Sequence, residues 1–407
     1  MKAAGTDTMK NEIKYEKSEL ELMTTYQLRE ICRREKIMNG VIHPLDKEEL
    51  IQTIMRYMGK RQDFLICDRK KGGEERVEEF LKNTRIVIKP SEELYCQSQI
   101  LAYEGLSIEY YDDYTIPYKK ELAGTNAFLM GSDKTLCAIL NLKEHGGKQE
   151  KLYLTKAAEL ETRETQRKDY RIFCMGRQTS ESLYHLYYGE HTILPEHIEV
   201  YSIPLIDFVV RKPVTLMLPM AIDFGSVNTT AGVYLDSAYF ENVGEQAAVK
   251  NCRENEINYT AFEDGNGESM LLPSVIGVLA VEEEDYKLLF GYDAIRLANA
   301  SYVDEGFCVF YDVKRWIGEY DKEEEIVDRQ GRRRLVKRAE ILRRFFLYII
   351  RKTENRFKCR ISQVHISSPV KQKHYFRRMF REILPEYMTD QETMLDEGMA
   401  VLYNTIS

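Results

Sequence analysis

Residues 220–234 (MAIDFGSVNTTAGVY) limit the fold of this chain more than any other passage. An apolar run ends at Asp223, a polar turn containing Gly225 follows, and small and β-branched residues resume at Ala231. This pattern predicts a strand, a tight turn and a second strand. Glycine lets a backbone turn sharply and approach an anion, and successive N–H groups and hydroxyls can then point at phosphate oxygens. Two interpretations follow: a phosphate-binding loop, or an ordinary hairpin with a polar tip.

Asp223 and the turn after it supply the candidate site residues. A magnesium ion prefers carboxylate, phosphate and water oxygens as ligands. Asp223, at the end of a buried strand, is therefore the candidate metal residue and can hold the water molecules of the ion. The candidate phosphate-binding residues are Gly225, Ser226, Val227, Asn228 and Thr229.

Length and composition narrow the class of protein. A chain of 407 residues suggests two to four domains. A net charge of −8 argues against a protein devoted wholly to nucleic acid. The eight cysteines include no C-x-x-C pair, so we expect reduced thiols rather than a zinc site or a disulfide framework. The opening residues are polar, and no apolar stretch approaches the ~20 residues of a membrane helix. These features predict a cytoplasmic protein without a membrane segment.

Residues 1–20 are predicted to be a disordered tail, and residues 21–60 a small helical module. Thr24 or Thr25 can cap a first helix, and Asp46 with Glu49 forms a capping-box pattern before a second. Two short helices joined by an extended loop resemble a SAP module, a fold that often binds DNA. Basic residues, including Arg33 and Lys36, could contact phosphates, but acidic residues nearly balance them. Weak DNA binding and a role in docking or oligomerisation are both consistent with this module.

Residues 61–216 are predicted to form a β-rich domain. Short segments of alternating apolar residues, such as residues 85–90 and 151–154, are typical of strands. The sequence of this domain resembles no family known to us and contains no catalytic cluster. We expect it to offer a surface for a protein client or partner.

Residues 217–407 contain a series of motifs in a definite order. The phosphate turn is followed by LPSVIG, LFGYDA, VFYDVKRWIG, VHISSP and MLDEGMAV, at residues 272–277, 289–294, 309–318, 364–369 and 394–401. This series resembles the first lobe of the DnaK-type heat-shock chaperones, within the actin-like ATPase superfamily. The resemblance implies a ribonuclease-H-like α/β lobe that binds ATP and Mg²⁺. The whole chain is thus predicted to be α/β plus β-rich, with this lobe preceded by the β-rich domain and the helical module.

The resemblance also implies catalytic roles for three residues. Asp223 matches the aspartate that orients magnesium-bound water. Lys314 matches the lysine that positions the attacking water and neutralises the γ-phosphate, where charge accumulates during transfer. Glu397 matches a glutamate that arranges the metal and the water, although Gly398 follows it where the family usually has proline. Val227 replaces a common hydroxyl residue in the phosphate turn.

The family's second phosphate loop would follow the glutamate motif, but the sequence given ends at Ser407. We therefore expect a truncated lobe that holds half of an ATP site. The predicted function is that of a nucleotide-switched, ATP-binding, DnaK- or actin-like protein. It would hydrolyse ATP only if a second lobe were supplied, and this chain alone is expected to be inactive. The alternative is a DNA- or protein-binding protein in which a degenerate ATPase lobe serves as a scaffold.

Overall fold

The computed structural model describes residues 15–35, 46–58, 64–145, 150–243, 251–264, 267–299, 308–328, 331–368 and 373–387. The described chain is mixed α/β, with helix and strand in nearly equal shares. Lys36, the loop between the two predicted helices of the helical module, and the motif at residues 394–401 with Glu397 lie outside the described residues. Among the helices that are described, none has both the length and the apolar character needed to cross a membrane.

The N-terminal helical module begins earlier than predicted. Leu20 is fully buried in the core of the module, and the backbone N–H of Tyr15 donates to Met58. Tyr15 and Leu20 therefore pack with this module, and residues 1–14 of the predicted tail lie outside the described residues. The two predicted caps are present: Thr24 accepts from the Gln27 amide at 3.3 Å, and Asp46 accepts from the Glu49 amide at 2.9 Å. The helices are α1 (Lys17–Glu21), α2 (Thr25–Arg34) and α3 (Lys47–Met58).

The middle module is built on a seven-stranded sheet with the order β1-β8-β7-β4-β5-β6-β3. Two helices, α4 and α5, pack on one face through apolar side chains such as Val77 and Leu183, and a second apolar cluster covers the other face. The elements are α4 (Gly73–Asn83), β1 (Arg85–Lys89), β2 (Gln99–Tyr103), β3 (Thr115–Pro117), β4 (Thr125–Gly131), β5 (Leu136–Lys143), β6 (Lys151–Thr155), β7 (Tyr170–Met175), α5 (Arg177–Tyr188), β8 (His197–Leu205) and β9 (Asp207–Arg211).

A lysine lies in the interior of this middle module. Lys156 is 2% exposed, and its Nζ donates to the carbonyl groups of Ala157 at 3.0 Å and Leu160 at 2.6 Å. Burial lowers the pKa of Lys156 from 10.5 to about 8. Between these two values the unfolded chain holds a proton that the folded protein has released, so folding becomes more favourable as the pH rises.

We expect the substitution Lys156→Met to remove this contribution. Relative to the variant, the wild type should gain free energy of unfolding as the pH rises from 8 towards 10.5, because only the wild type carries the shifted amine. Denaturant titrations of both proteins across this range measure the difference. Parallel curves for the two proteins would contradict the assignment.

The C-terminal module contains the predicted phosphate turn. Its main sheet has the order β13-β12-β11-β23, and β16 also pairs with β12. The elements are β10 (Val214–Leu216), β11 (Met220–Phe224), β12 (Asn228–Leu235), α6 (Ser237–Val243), β13 (Glu256–Tyr259), β14 (Phe262–Glu263), β15 (Glu268–Ser269), β16 (Leu272–Pro273), β17 (Ile276–Val281), β18 (Tyr286–Phe290), α7 (Tyr292–Asn299), β19 (Val309–Phe310), β20 (Glu323–Val327), β21 (Arg333–Lys337), α8 (Arg338–Phe357), β22 (Cys359–Ile361), β23 (Val364–Ile366) and α9 (Lys373–Ile383).

The two faces of this main sheet differ. On one face, apolar side chains pack against the helices; the ring of Phe224 lies 5.0 Å from that of Phe346 on α8. The other face carries exposed side chains, among them Asp223, Tyr234 and Ile257. Because successive side chains of a strand point to opposite faces, Asp223 lies on the exposed face and its neighbour Phe224 is anchored in the core.

Hydrogen bonds and an ion pair connect the middle and C-terminal modules. Lys358, which directly follows α8, forms an ion pair with Asp112 at 2.9 Å and donates to the Ser107 carbonyl at 2.9 Å. Asn355 on α8 accepts from the Ser107 amide at 3.1 Å. Strand β10 pairs in parallel with β22, so the chain enters the C-terminal module before residue 217.

Candidate functional site

The predicted phosphate turn connects two antiparallel strands. Phe224 at the end of β11 is paired with Thr229 near the start of β12, so Gly225, Ser226, Val227 and Asn228 make the connection. The Gly225 amide donates to the Asn228 carbonyl at 3.1 Å. A Cβ atom on Gly225 would overlap with that carbonyl oxygen. The turn therefore needs glycine at position 225 because the backbone closes on itself.

Ser274 anchors the turn through two hydrogen bonds. Its amide donates to the Val227 carbonyl at 2.8 Å, and its hydroxyl donates to the Gly225 carbonyl at 2.8 Å. The hydroxyl of Thr229 lies 2.9 Å from the Ser274 hydroxyl, and both side chains are fully buried. The side chain of Thr229, a predicted phosphate ligand, thus supports the turn from the protein side. Whether its backbone contacts a phosphate stays a prediction.

Carbonyl groups of the turn accept hydrogen bonds from the protein, whereas the tip of the turn is exposed to solvent. Ser226 and Val227 are exposed, Val227 by 74%. Within the described residues, the amide N–H groups of Ser226 and Val227, which lie between the two strands, have no protein acceptor. Two successive amides that lack protein acceptors in the described chain, beside the bonded carbonyls of Gly225, Val227 and Asn228, are donors that can bind an anion.

Asp223 has one fixed carboxylate oxygen. The Ser367 hydroxyl, just after β23, donates to Asp223 Oδ1 at 2.6 Å, and the Ser367 amide donates to the Ile222 carbonyl at 3.0 Å. Within the described residues, Asp223 Oδ2 has no protein donor. His365 lies two residues earlier; burial lowers its pKa below the usual value of 6.5. Its imidazole is therefore mostly neutral at pH 7 and adds no fixed positive charge beside Asp223.

Lys314 follows β19, a strand that pairs with β17. Ser274, the anchor of the turn, precedes β17, where Ile276 pairs with Phe310 on β19. Lys314 follows four residues later, in a 3₁₀ helix at Val313–Glu319. Its Nζ lies 5.8 Å from the centre of the Phe376 ring on α9. This contact places the amine against α9 and does not by itself place it at the phosphate turn, so its predicted catalytic role stays a prediction.

Two buried oxygen atoms next to these segments have no hydrogen-bond partner among the residues that the structure describes. The Ser368 hydroxyl, next to Ser367, and Oδ1 of Asp312, two residues before Lys314, are buried without a hydrogen bond. Buried polar atoms usually have a partner, which can be an ordered water or an ion. In the described part of the chain, no three His, Cys, Asp or Glu side chains cluster as metal ligands.

The helical module pairs much of its positive charge internally. Arg33 forms an ion pair with Glu30 at 2.8 Å, and Arg34 with Glu35 at 2.9 Å. Arginines that already form ion pairs attract a nucleic-acid backbone less strongly. The predicted binding of DNA by this module stays a prediction.

Sequence reasoning assigned no role to Ser367, Ser274 or Thr230. Ser274 lies in the motif LPSVIG and Ser367 in VHISSP, but only the pairing of strands distant in sequence brings them to the turn. The sequence signal that could have identified these residues was a hydroxyl residue at the end of an apolar strand. This pattern is common, so it is weak evidence on its own.

The comparisons with known proteins give no family for this chain. No protein-family model matches the sequence, and no curated protein matches it.

Proposed function

We propose that the C-terminal module binds a nucleoside triphosphate, with ATP as the expected ligand, together with Mg²⁺. The main support is the turn at residues 225–228: three of its carbonyls accept hydrogen bonds, while the Ser226 and Val227 amides have no acceptor among the described residues. The β11-β12-β23 pairing supports the finer proposal of an actin-like, ribonuclease-H-like lobe. The resemblance of the motif series to DnaK-type chaperones supports ATP as the ligand.

Each residue has a distinct part in this proposal. The amides of Ser226, Val227 and Asn228 donate to phosphate oxygens. Asp223, held by Ser367, accepts hydrogen bonds from water molecules in the shell of the magnesium ion. When bound, the ion neutralises phosphate charge. Lys314 is proposed to add positive charge at the terminal phosphate, and Glu397, outside the described residues, to act on the metal and the water.

Hydrolysis is a separate part of the proposal. Ligand pockets normally bury most of the ligand, whereas the tip of this turn is exposed. We propose that hydrolysis requires a second lobe to close over the nucleotide, and that nucleotide binding switches the protein between states through that closure.

The substitution Asp223→Asn tests the proposed function. We expect it to weaken magnesium-dependent ATP binding by ~10- to 100-fold, the usual effect of losing an outer-sphere carboxylate at a metal. Saturation-transfer NMR on the full chain, with ATP and either Mg²⁺ or EDTA, detects weak binding directly. Asp321→Asn, at an exposed position of the same module, is the matched control and should bind like the wild type. No saturable binding of Mg–ATP to the wild type would refute the proposal.

A further inference from the structure

Three oxygen-bearing side chains form one row across the exposed face of the main sheet. Thr230 on β12 pairs directly with Asp223 on β11. On the other side of β11, Ile222 pairs with Ile366 on β23, so the next residue, Ser367, lies beside Asp223. Directly opposed residues share a face of a sheet and lie about 4.5–5.5 Å apart. The row Thr230–Asp223–Ser367 therefore follows from the register of three strands.

Ser367 controls the orientation of the central carboxylate. The hydrogen bond from its hydroxyl to Oδ1, at 2.6 Å, fixes the Asp223 side chain and leaves Oδ2 without a protein donor in the described part of the chain. Its amide bond to the Ile222 carbonyl, at 3.0 Å, holds the Ser367 backbone in the ladder. Asp223 thus lies on a regular strand and Ser367 directly after one, and regular strands position side chains more precisely than loops do.

Thr230 supplies the third oxygen, on the opposite side of Asp223. Its side chain is half-buried, and its hydroxyl has no protein partner among the residues that the structure describes. A hydroxyl in this position can accept from, or donate to, a water molecule that is bound to a cation. Hard divalent cations prefer all-oxygen surroundings, and Mg²⁺ usually keeps several of its waters.

We propose that Thr230, Asp223 and Ser367 together form a seat for a hydrated divalent cation, and that this seat is preformed before any nucleotide arrives. Asp223 supplies the charge, Ser367 is the positioning residue for its carboxylate, and Thr230 holds the water shell on the other side. The inference rests on the proposed function only in taking Asp223 as the metal carboxylate. It adds two residues and an order of events: the cation binds to the nucleotide-free protein.

The test uses Mn²⁺, which shares the preference of Mg²⁺ for oxygen ligands and is visible by electron paramagnetic resonance. The full, nucleotide-free chain is titrated with Mn²⁺ as wild type, Ser367→Ala, Ser367→Thr and Thr230→Val. We expect Ser367→Ala to weaken Mn²⁺ binding by ~10- to 100-fold and Thr230→Val to weaken it by a smaller factor. Ser367→Thr keeps the hydroxyl on a β-branched side chain that suits a strand, so it should restore the affinity.

Thr215→Val is the matched control, because Thr215 is an exposed strand threonine of the same module; it should bind Mn²⁺ like the wild type. A wild type that binds no Mn²⁺ without nucleotide overturns the inference, and so does an unchanged affinity in Ser367→Ala. If Mg–ATP still binds in either case, the proposed function stands without the preformed seat. If Mn²⁺ follows the expected pattern while ATP never binds, the seat stands and the nucleotide proposal fails.

Discussion

Replacing Lys358 with methionine is expected to lower the free energy of unfolding by about 3–5 kcal/mol, the usual cost of removing one partner from a buried ion pair. Lys358 is 2% exposed and Asp112 is 8% exposed, and the 2.9 Å contact joins two modules. Without the amine, the Ser107 carbonyl loses this donor, and the Asp112 carboxylate loses its positive partner and keeps the hydrogen bond from the Glu109 amide. Chemical denaturation followed by circular dichroism measures the change.

An exposed ion pair gives the matched control for this substitution. Lys322 pairs with Glu319 at 2.8 Å, but the Lys322 side chain is 57% exposed, so Lys322→Met should cost at most about 1 kcal/mol. The double variant Lys358→Met with Asp112→Leu should recover much of the loss, because apolar groups of similar volume can replace a buried ion pair at little cost. Equal losses in Lys358→Met and Lys322→Met would show that the buried pair does not hold the interface.

The pH dependence of the Lys358→Met loss has a definite sign. Burial already raises the pKa of Asp112 in the folded protein, against the lowering effect of Lys358, and removal of the amine raises that pKa further. A carboxyl with a raised folded pKa binds a proton more readily in the folded state, so stability is gained as the pH falls through that pKa. The loss should be largest at neutral pH and smaller in acid.

The second large effect is expected at Gly225. A valine there would place its Cβ against the Asn228 carbonyl oxygen, which is backbone and is bonded to Gly225 itself at 3.1 Å. The turn must open to relieve this overlap, and overpacking of this kind typically costs about 1–3 kcal/mol. Because the proposed donor amides belong to the same turn, we expect Gly225→Val to abolish magnesium-dependent ATP binding in protein that is still folded.

Gly318→Ala controls for the loss of a glycine near the site. It lies in the 3₁₀ helix that contains Lys314, and a Cβ atom there would meet nothing within 4 Å. It should leave both the free energy of unfolding and ATP binding unchanged, as measured by denaturation and by saturation-transfer NMR. ATP binding by folded Gly225→Val at wild-type strength would disprove the role of the turn.

Local patterns predicted the local structure well. The strands expected at residues 85–90 and 151–154 are observed as β1 (Arg85–Lys89) and β6 (Lys151–Thr155), and the apolar run before Asp223 forms β11. The spacing of apolar residues and the capping residues determine such elements, because these signals act between residues that are close in sequence. The capping pattern of Asp46 with Glu49 likewise marked the start of α3.

Contacts between distant residues could not be predicted in this way. The bond from Ser367 to Asp223 joins positions 144 apart in the chain, and the ion pair from Lys358 to Asp112 joins positions 246 apart. The first depends on the parallel register of β23 against β11, and the second on how two modules dock. Neither register nor docking leaves a periodic signal in a single sequence.

Helix α8 contacts both the middle and the C-terminal modules, and it therefore links their unfolding. Its first half packs beneath the phosphate turn through Phe346, and its last turn is tied to the middle module through Asn355 and the adjacent Lys358. A fragment that begins at residue 217 would lack β10 and would leave the Lys358 amine without its counterion. The middle and C-terminal modules should therefore melt together, in one cooperative transition, rather than as two separable domains.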